Sequence, residues 1–146
     1  MKPIDKTKRG QTDTLTFEYE LEHAPMKVWR ALTEPSLLSR WLLPIANLHL
    51  EPGAAFTFQA PALPGWDGAV HCQLLESEPY RLLRYRWVVG DMDTVVTFTL
   101  EPTDVGTRLH LEHSGFRADQ KHNFGGARYG WNQMLDRLFG VLGSDA

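Results

Sequence analysis

Histidine and cysteine offer the most versatile chemistry in this 146-residue chain, which has six histidines. His110, Glu112 and His113 stand closest together, in a segment where apolar and polar residues alternate. Successive side chains of a strand point to opposite faces, so His110 and Glu112 share one face and His113 points to the other. A zinc site needs its ligands around one point. We therefore predict no metal here and interpret the group as surface histidines near a glutamate.

A thiol nucleophile is the second candidate, at His71 and Cys72. Adjacent strand residues face opposite sides, so this histidine cannot pair directly with the thiol. Cys72 is in phase with Val70 and Leu74, and we interpret it as a small buried apolar residue. Ser114 lacks the strand–turn–helix context of a nucleophile elbow. The sequence predicts no catalytic residue, and it favours a binding role over an enzyme without deciding between them.

Phosphate and nucleic-acid binding have weaker signals. The segment 124–126, Phe-Gly-Gly, lacks the Lys-Ser/Thr ending of a phosphate-binding loop. Arg81, Arg84 and Arg86 lie near several carboxylates, which is typical of a solvated strand face. The formal net charge of −3 does not provide the basic excess of nucleic-acid-binding proteins. We predict no cofactor and no nucleic-acid partner.

Aromatic residues are the more informative group, since they make up 11% of the chain and can fill a core or line a pocket. Arg128 falls on the apolar stripe of the last predicted helix, one turn before Trp131. Its head either reaches solvent above a packed stem, or orients a ligand carboxylate or carbonyl at a cavity mouth. The predicted ligand-binding residues, with core packing as the alternative for the aromatic ones, are Trp41, Phe56, Phe58, Trp66, Tyr85, Trp87, Phe98, Phe124, Arg128 and Trp131.

The N-terminal third predicts one strand and two short helices. Apolar residues alternate with Thr and Glu over residues 14–21, which indicates a half-buried strand. Pro25 and Pro35 are each well placed to open a helix, where the missing N–H is harmless. Apolar residues at helical spacing follow both prolines.

From about Asn47 to His113 the chain alternates between short apolar-patterned segments and turn residues. Short connections between consecutive strands are typical of an antiparallel meander with one apolar face. The predicted strands are Ala54–Ala60, Ala69–Glu76, Tyr80–Val89, Thr94–Glu101 and Thr107–His113.

The last segment, from about Asp119 to Leu142, has the apolar spacing of a long helix. Gly125, Gly126 and Gly130 interrupt it, and glycine lowers helix stability. They indicate either fraying with a late start near Ala127, or a close approach of the backbone to the sheet or to a ligand. In the second case, Gly126 is expected to border a cavity.

These elements predict an α+β protein in which a curved antiparallel sheet of about six or seven strands wraps a long C-terminal helix. We expect one domain over residues 13–143, preceded by a disordered tail over residues 1–12. No apolar run approaches the length of a membrane span, and no secretory signal is visible at the start of the chain. We therefore expect a cytoplasmic protein without a membrane partner.

The order of elements, together with several segments, resembles the START-like, or birch-pollen-allergen-like, helix-grip superfamily. More narrowly, the chain is similar to bacterial relatives of the C-terminal domain of the activator of heat-shock protein 90 ATPase. The resemblance spans about Leu15 to Leu142. It is carried by residues 24–33, 37–41, 51–56, 78–83 with Trp87, 106–109 and 130–138.

The resemblance implies a helix-grip fold that holds an apolar or aromatic small molecule between the sheet and the C-terminal helix. It leaves two alternatives: an interaction module of the stress response that contacts a chaperone or regulator through the outer sheet face, and, less favoured, a cyclase or hydrolase. A contiguous apolar patch on that outer face would favour the interaction module. A homodimer is left open.

Overall fold

The computed structural model describes residues 3–144, which form one eight-stranded antiparallel sheet, three α-helices and a short 3₁₀ helix. The strands are β1 (Ile4–Asp5), β2 (Thr14–Leu21), β3 (Ile45–Ala46), β4 (Ala55–Gln59), β5 (Ala69–Glu78), β6 (Leu82–Val89), β7 (Met92–Pro102) and β8 (Thr107–Ser114). The helices are α1 (Pro25–Thr33), α2 (Pro35–Trp41) and α3 (Lys121–Ser144), with the 3₁₀ turn at Ala118–Gln120. In space the strands follow the order β1-β2-β8-β7-β6-β5-β4-β3.

One face of this sheet is buried, and period-two patterning decides which residues it carries. The burial of β2 alternates strictly, so that Leu15, Phe17, Tyr19 and Leu21 point inward. The same alternation continues along β7 and β8. Helices α1 and α2 pack against α3, so the three helices together cover the apolar face. The α+β class and the two short helices after the first long strand are confirmed.

The sheet has eight strands, whereas the sequence predicted about six or seven and located six of them. The two strands that were not located, β1 and β3, contain two residues each. Strands this short cannot show a period-two pattern, which is why the sequence did not reveal them. β1 lies inside the segment predicted to be a disordered tail. Ile4 pairs with Glu18 and Asp5 with Phe17, so this part of the segment is a strand at the sheet edge. Residues 1 and 2 of the predicted tail lie outside the described residues.

Helix α3 begins at Lys121, before Gly125, Gly126 and Gly130, so the predicted late start near Ala127 is wrong. The 3₁₀ turn fixes this beginning. The backbone N–H of Arg117 donates to Gln120 Oε1 over 2.9 Å, and the ring of Phe116 contacts that of Phe124 with centroids 5.2 Å apart.

Gly125 and Gly126 point away from the sheet. Both are exposed, and a Cβ atom built on either would meet nothing within 4 Å outside the local helix backbone. The expectation that the backbone makes a close approach at these positions is therefore wrong, and Gly126 does not border a cavity. None of the helices within residues 3–144 combines the length and apolar character needed to span a bilayer.

This geometry predicts opposite effects for two glycine-to-alanine substitutions. Gly126→Ala adds a methyl group in open space on a helix, so the free energy of unfolding should rise by about 0.5–1 kcal/mol. Gly68→Ala should lower it, because Gly68 has a φ of +85° and its Cβ would lie 2.1 Å from the carbonyl oxygen of Ala60. Denaturant unfolding of both variants measures the difference. A destabilised Gly126→Ala protein would contradict the placement of α3.

Candidate functional site

A buried histidine connects the sheet to α3. His113 lies on the inner face of β8 and is 1% exposed. Its Nε2 atom lies 2.7 Å from Thr94 Oγ1 on β7, and its Nδ1 atom lies 2.9 Å from Trp131 Nε1 on α3. Thr94 Oγ1 also lies 2.7 Å from the carbonyl oxygen of Trp87 on β6. One hydrogen-bonded chain therefore joins three strands to the terminal helix.

The direction of each hydrogen bond follows from the donors available. The indole N–H of Trp131 can only donate, so Nδ1 of His113 is the acceptor. The neutral imidazole then carries its hydrogen on Nε2, and this N–H donates a hydrogen bond to Thr94 Oγ1. The Thr94 hydroxyl in turn donates a hydrogen bond to the Trp87 carbonyl oxygen. A protonated imidazole would have a hydrogen on Nδ1 as well and would lose the bond from Trp131. The chain therefore selects the neutral histidine.

Burial reinforces this choice, because it lowers the pKa of His113 to about 3. The rings of Phe116, Trp87 and Trp131 surround the imidazole at centroid distances of 4.7, 5.8 and 6.0 Å. Interpreting His113 as a surface residue was wrong. The signal was present in the sequence, since His113 has the same strand parity as Leu109 and Leu111.

The other residues considered as metal ligands or nucleophiles do not form a site. His110 and Glu112 lie on the outer face of β8, opposite His113, as the parity argument predicted. Within residues 3–144 no three His, Cys, Asp or Glu side chains are grouped so that they could hold a metal ion. Cys72 is buried, as predicted, and burial raises the pKa of its thiol to about 12. A thiol of this kind stays protonated and is a poor nucleophile.

The space between the sheet and the middle of α3 is occupied by aromatic side chains. The ring of Trp131 lies 5.5 Å from that of Trp87 and 6.0 Å from that of Phe98, and Trp41 packs on Phe98 from α2 at 6.3 Å. All four residues are at least nine-tenths buried. The sequence analysis expected a cavity in this region, but these rings form part of the core.

An apolar pocket lies elsewhere, between α1, α2 and the β3–β6 side of the sheet. Its free volume is about 10 Å³, enough for roughly one water-sized sphere. The pocket is therefore closed in this conformation. Its lining residues are apolar or aromatic: Leu32, Leu38, Ile45, Leu48, Leu50, Phe56, Phe58, Leu83 and Tyr85.

Part of the pocket wall comes from residues 47–52, which we call the strap. The strap joins β3 to the turn before β4 and begins at Asn47, whose φ is +66°. Within the described chain, no backbone N–H and no side chain of the strap donates a hydrogen bond, and the strap accepts one, from the Ala54 N–H to the Glu51 carbonyl oxygen over 3.0 Å. Leu48 is half-buried and packs on the core, while Leu50 is 41% exposed. Side-chain packing is therefore the main contact that holds the strap closed.

The structure separates the ten predicted ligand-binding residues into groups. Phe56, Phe58 and Tyr85 line the apolar pocket. Trp41, Trp87, Phe98 and Trp131 belong to the aromatic core described above. Phe124 packs on Phe116, and Trp66 lies in the β4–β5 loop, where its indole N–H donates to the carbonyl oxygen of Ala69. Whether any of these side chains binds a ligand stays a prediction.

Arg128 lies apart from the aromatic residues. It is exposed on α3, and its guanidinium forms an ion pair with Asp5 of β1. Burial raises the pKa of the Asp5 carboxyl, but hydrogen bonds from Arg128 and Thr7 outweigh burial, so that the pKa lies below its usual value. Of the two interpretations of Arg128, the exposed head is the one that the structure shows.

Six lining residues of the pocket were not among the predicted site residues: Leu32, Leu38, Ile45, Leu48, Leu50 and Leu83. Leu32, Leu38 and Leu83 carry ordinary helix or strand patterning, and Ile45 lies in a strand too short to show one. Nothing at these four positions distinguishes a pocket wall from core. Leu48 and Leu50 offer the one usable signal, because they alternate with His49 in a segment bounded by turn residues.

The outer face of the sheet is polar. Arg84 pairs with Glu76, Arg86 with Asp93, and Arg108 with Glu20 and Glu101. Among the described residues of β5–β8, Leu75 is the exposed large apolar side chain, at a β-bulge. This part of the chain therefore lacks the contiguous apolar patch that would favour an interaction module.

A curved antiparallel sheet that wraps a long C-terminal helix, with two short helices at its start, defines the helix-grip fold. Residues 22–143 match the family model described as "Activator of Hsp90 ATPase homolog 1-like protein", and the chain belongs to this family. No curated protein matches the chain.

Solved structures share the fold along nearly the whole chain. Protein MLL2253 from Mesorhizobium loti is 38% identical, with a TM-score of 0.84 over 91% of this chain and 98% of that protein. CalU16 from Micromonospora echinospora is 26% identical, with a TM-score of 0.72 over 90% and 77%. DynU16, a protein in the dynemicin biosynthetic locus, is 19% identical, with a TM-score of 0.76 over 92% and 49%.

The buried histidine predicts how stability depends on pH. Since the pKa of His113 is about 3 in the folded chain against 6.5 ordinarily, its neutral form stabilises the fold fully above about pH 6.5. This stabilisation is lost as the pH falls toward 3. Between pH 7.5 and pH 5 the loss should be about 2 kcal/mol. Denaturant unfolding of the wild type and of His113→Gln, which cannot titrate, should show this difference.

His110→Gln on the outer face of the same strand is the matched control and should follow the wild-type pH dependence. If His113→Gln loses as much stability as the wild type between pH 7.5 and pH 5, another group is responsible for the acid sensitivity.

Proposed function

We propose that the protein binds an apolar small molecule in the pocket under the strap. The observation that carries this proposal is a lining without a single charged side chain, closed by a strap without donated hydrogen bonds. Sites that hold small organic ligands are lined mainly by apolar and aromatic side chains, and the lining of this pocket has that composition.

Entry of a ligand requires the strap to move. Local segments open at low free energy when they have few hydrogen bonds and few buried contacts, and the strap has both properties. Its displacement removes Leu48 and Leu50 from the lining and leaves the pocket walls on β4 and β6 in place. A ligand then replaces the contacts of these two leucines with its own apolar surface.

The helix-grip fold supports the same function, because the superfamily that the chain resembles includes carriers of lipids and hormones. DynU16, which shares the fold, is a protein in a biosynthetic locus. A cytoplasmic location, which the sequence predicts, stays a prediction, and a homodimer stays an open alternative.

The direct test uses naphthalene and its alkyl derivatives as probes. Each binding compound should raise the melting temperature of the wild-type protein, and its stabilisation should reach about 2.7 kcal/mol at a hundredfold excess over the dissociation constant. Ile45→Trp should abolish this shift, because Ile45 is half-buried at the pocket and a larger ring there occupies the site.

Ile4→Trp is the matched control, since Ile4 is 53% exposed on the edge strand β1, and it should bind the probes like the wild type. A panel of apolar compounds that leaves the wild-type melting temperature unchanged would contradict the proposed function and favour an interaction module.

A further inference from the structure

Tyr85 occupies a special position in the pocket wall. It lies in the middle of β6, is 3% exposed, and lines the pocket. Its ring contacts Phe56 at a centroid distance of 5.1 Å, Phe58 at 6.2 Å and Phe98 at 6.3 Å. Its surroundings are therefore mainly hydrocarbon.

The Tyr85 hydroxyl makes no hydrogen bond within residues 3–144, although other buried polar groups of the core have partners. The indole N–H of Trp41 donates to the carbonyl oxygen of Ala31, that of Trp131 donates to His113, and Thr94 bonds two partners. Every described side-chain nitrogen or oxygen that is fully enclosed has a partner. The Tyr85 oxygen thus keeps a small accessible surface, in a residue that lines the pocket.

The protonation state of this hydroxyl decides whether its hydrogen-bond partner must be an acceptor or a donor. Burial raises the pKa of Tyr85 well above its usual value, and the proximity of Cys72 raises it further. Tyr85 is therefore protonated, and its O–H group can donate a hydrogen bond. A buried donor without an acceptor loses the hydrogen bonds that it made to water in the unfolded chain.

We propose that the ligand carries a neutral hydrogen-bond acceptor, such as a ketone, ester, ether or hydroxyl oxygen, which accepts a hydrogen bond from the Tyr85 hydroxyl. This inference rests on the proposed function, since it names the ligand class of the same pocket. A carboxylate does not fit, because no lining residue is cationic and an unpaired buried charge is costly. The ligand is mostly hydrocarbon with one polar oxygen near the centre of β6.

The test compares ethylnaphthalene with acetylnaphthalene of the same substitution pattern, on the wild type and on Tyr85→Phe. The two compounds have similar shapes, and the acetyl group adds the acceptor. The ratio of their affinities should favour the ketone about tenfold more in the wild type than in Tyr85→Phe, the size expected for one hydrogen bond.

Tyr80→Phe is the control, because Tyr80 is 48% exposed on the β5–β6 turn and packs on Trp29, outside the pocket. It should keep the wild-type ratio. A second measurement does not depend on the folding of a variant: the infrared carbonyl stretch of acetylnaphthalene bound to the wild type should shift to lower frequency than in an alkane solvent.

The outcomes separate the two proposals. Equal affinity ratios in the wild type and Tyr85→Phe, or a carbonyl stretch at its alkane value, would overturn the acceptor inference and leave the apolar pocket intact. Failure of ethylnaphthalene and acetylnaphthalene alike to bind the wild type would overturn the proposed function itself.

Discussion

The hydrogen-bonded chain from Trp131 through His113 and Thr94 to Trp87 is the constraint on which the rest of the structure depends. It buries the imidazole of His113, the hydroxyl of Thr94, the indole N–H of Trp131 and the backbone carbonyl of Trp87. An unmatched polar atom in such a buried position is costly. Matching them requires α3 to lie at one position over β7 and β8, with Trp131 within 2.9 Å of the imidazole. Apolar packing alone would tolerate small shifts of this helix, whereas the hydrogen bonds do not.

This position of α3 decides where a ligand can bind. Once Trp131 reaches His113, its ring also lies against Trp87 and Phe98, and the middle of the sheet is filled. The remaining apolar space lies at the β3–β6 side, under α1, α2 and the strap. Gly125 and Gly126 have no part in it, because they face outward.

The long elements could be predicted from the sequence because each contains enough residues to show its period. β2 alternates over eight residues, and two prolines open α1 and α2. β1 and β3, at two residues each, have no period to detect. At the pocket, the sequence analysis named three of the lining residues, Phe56, Phe58 and Tyr85, because they are aromatic. Periodicity, by contrast, reports only which face of an element a side chain occupies. It cannot tell a core contact from a pocket wall, since that depends on how helices and sheet meet.

The closed state of the pocket follows from the same packing physics. An open apolar void loses the dispersion contacts of its walls, so the ligand-free chain gains by covering its pocket with its own side chains. Leu48 and Leu50 provide this cover. Because the strap donates no hydrogen bonds within the described chain, moving it exposes apolar surface without breaking any donated bond. A ligand that covers the same surface therefore exchanges one set of apolar contacts for another. The net free energy of ligand binding then depends on any polar group of the pocket that Leu48 and Leu50 leave without a hydrogen-bond partner. The hydroxyl of Tyr85 is such a group.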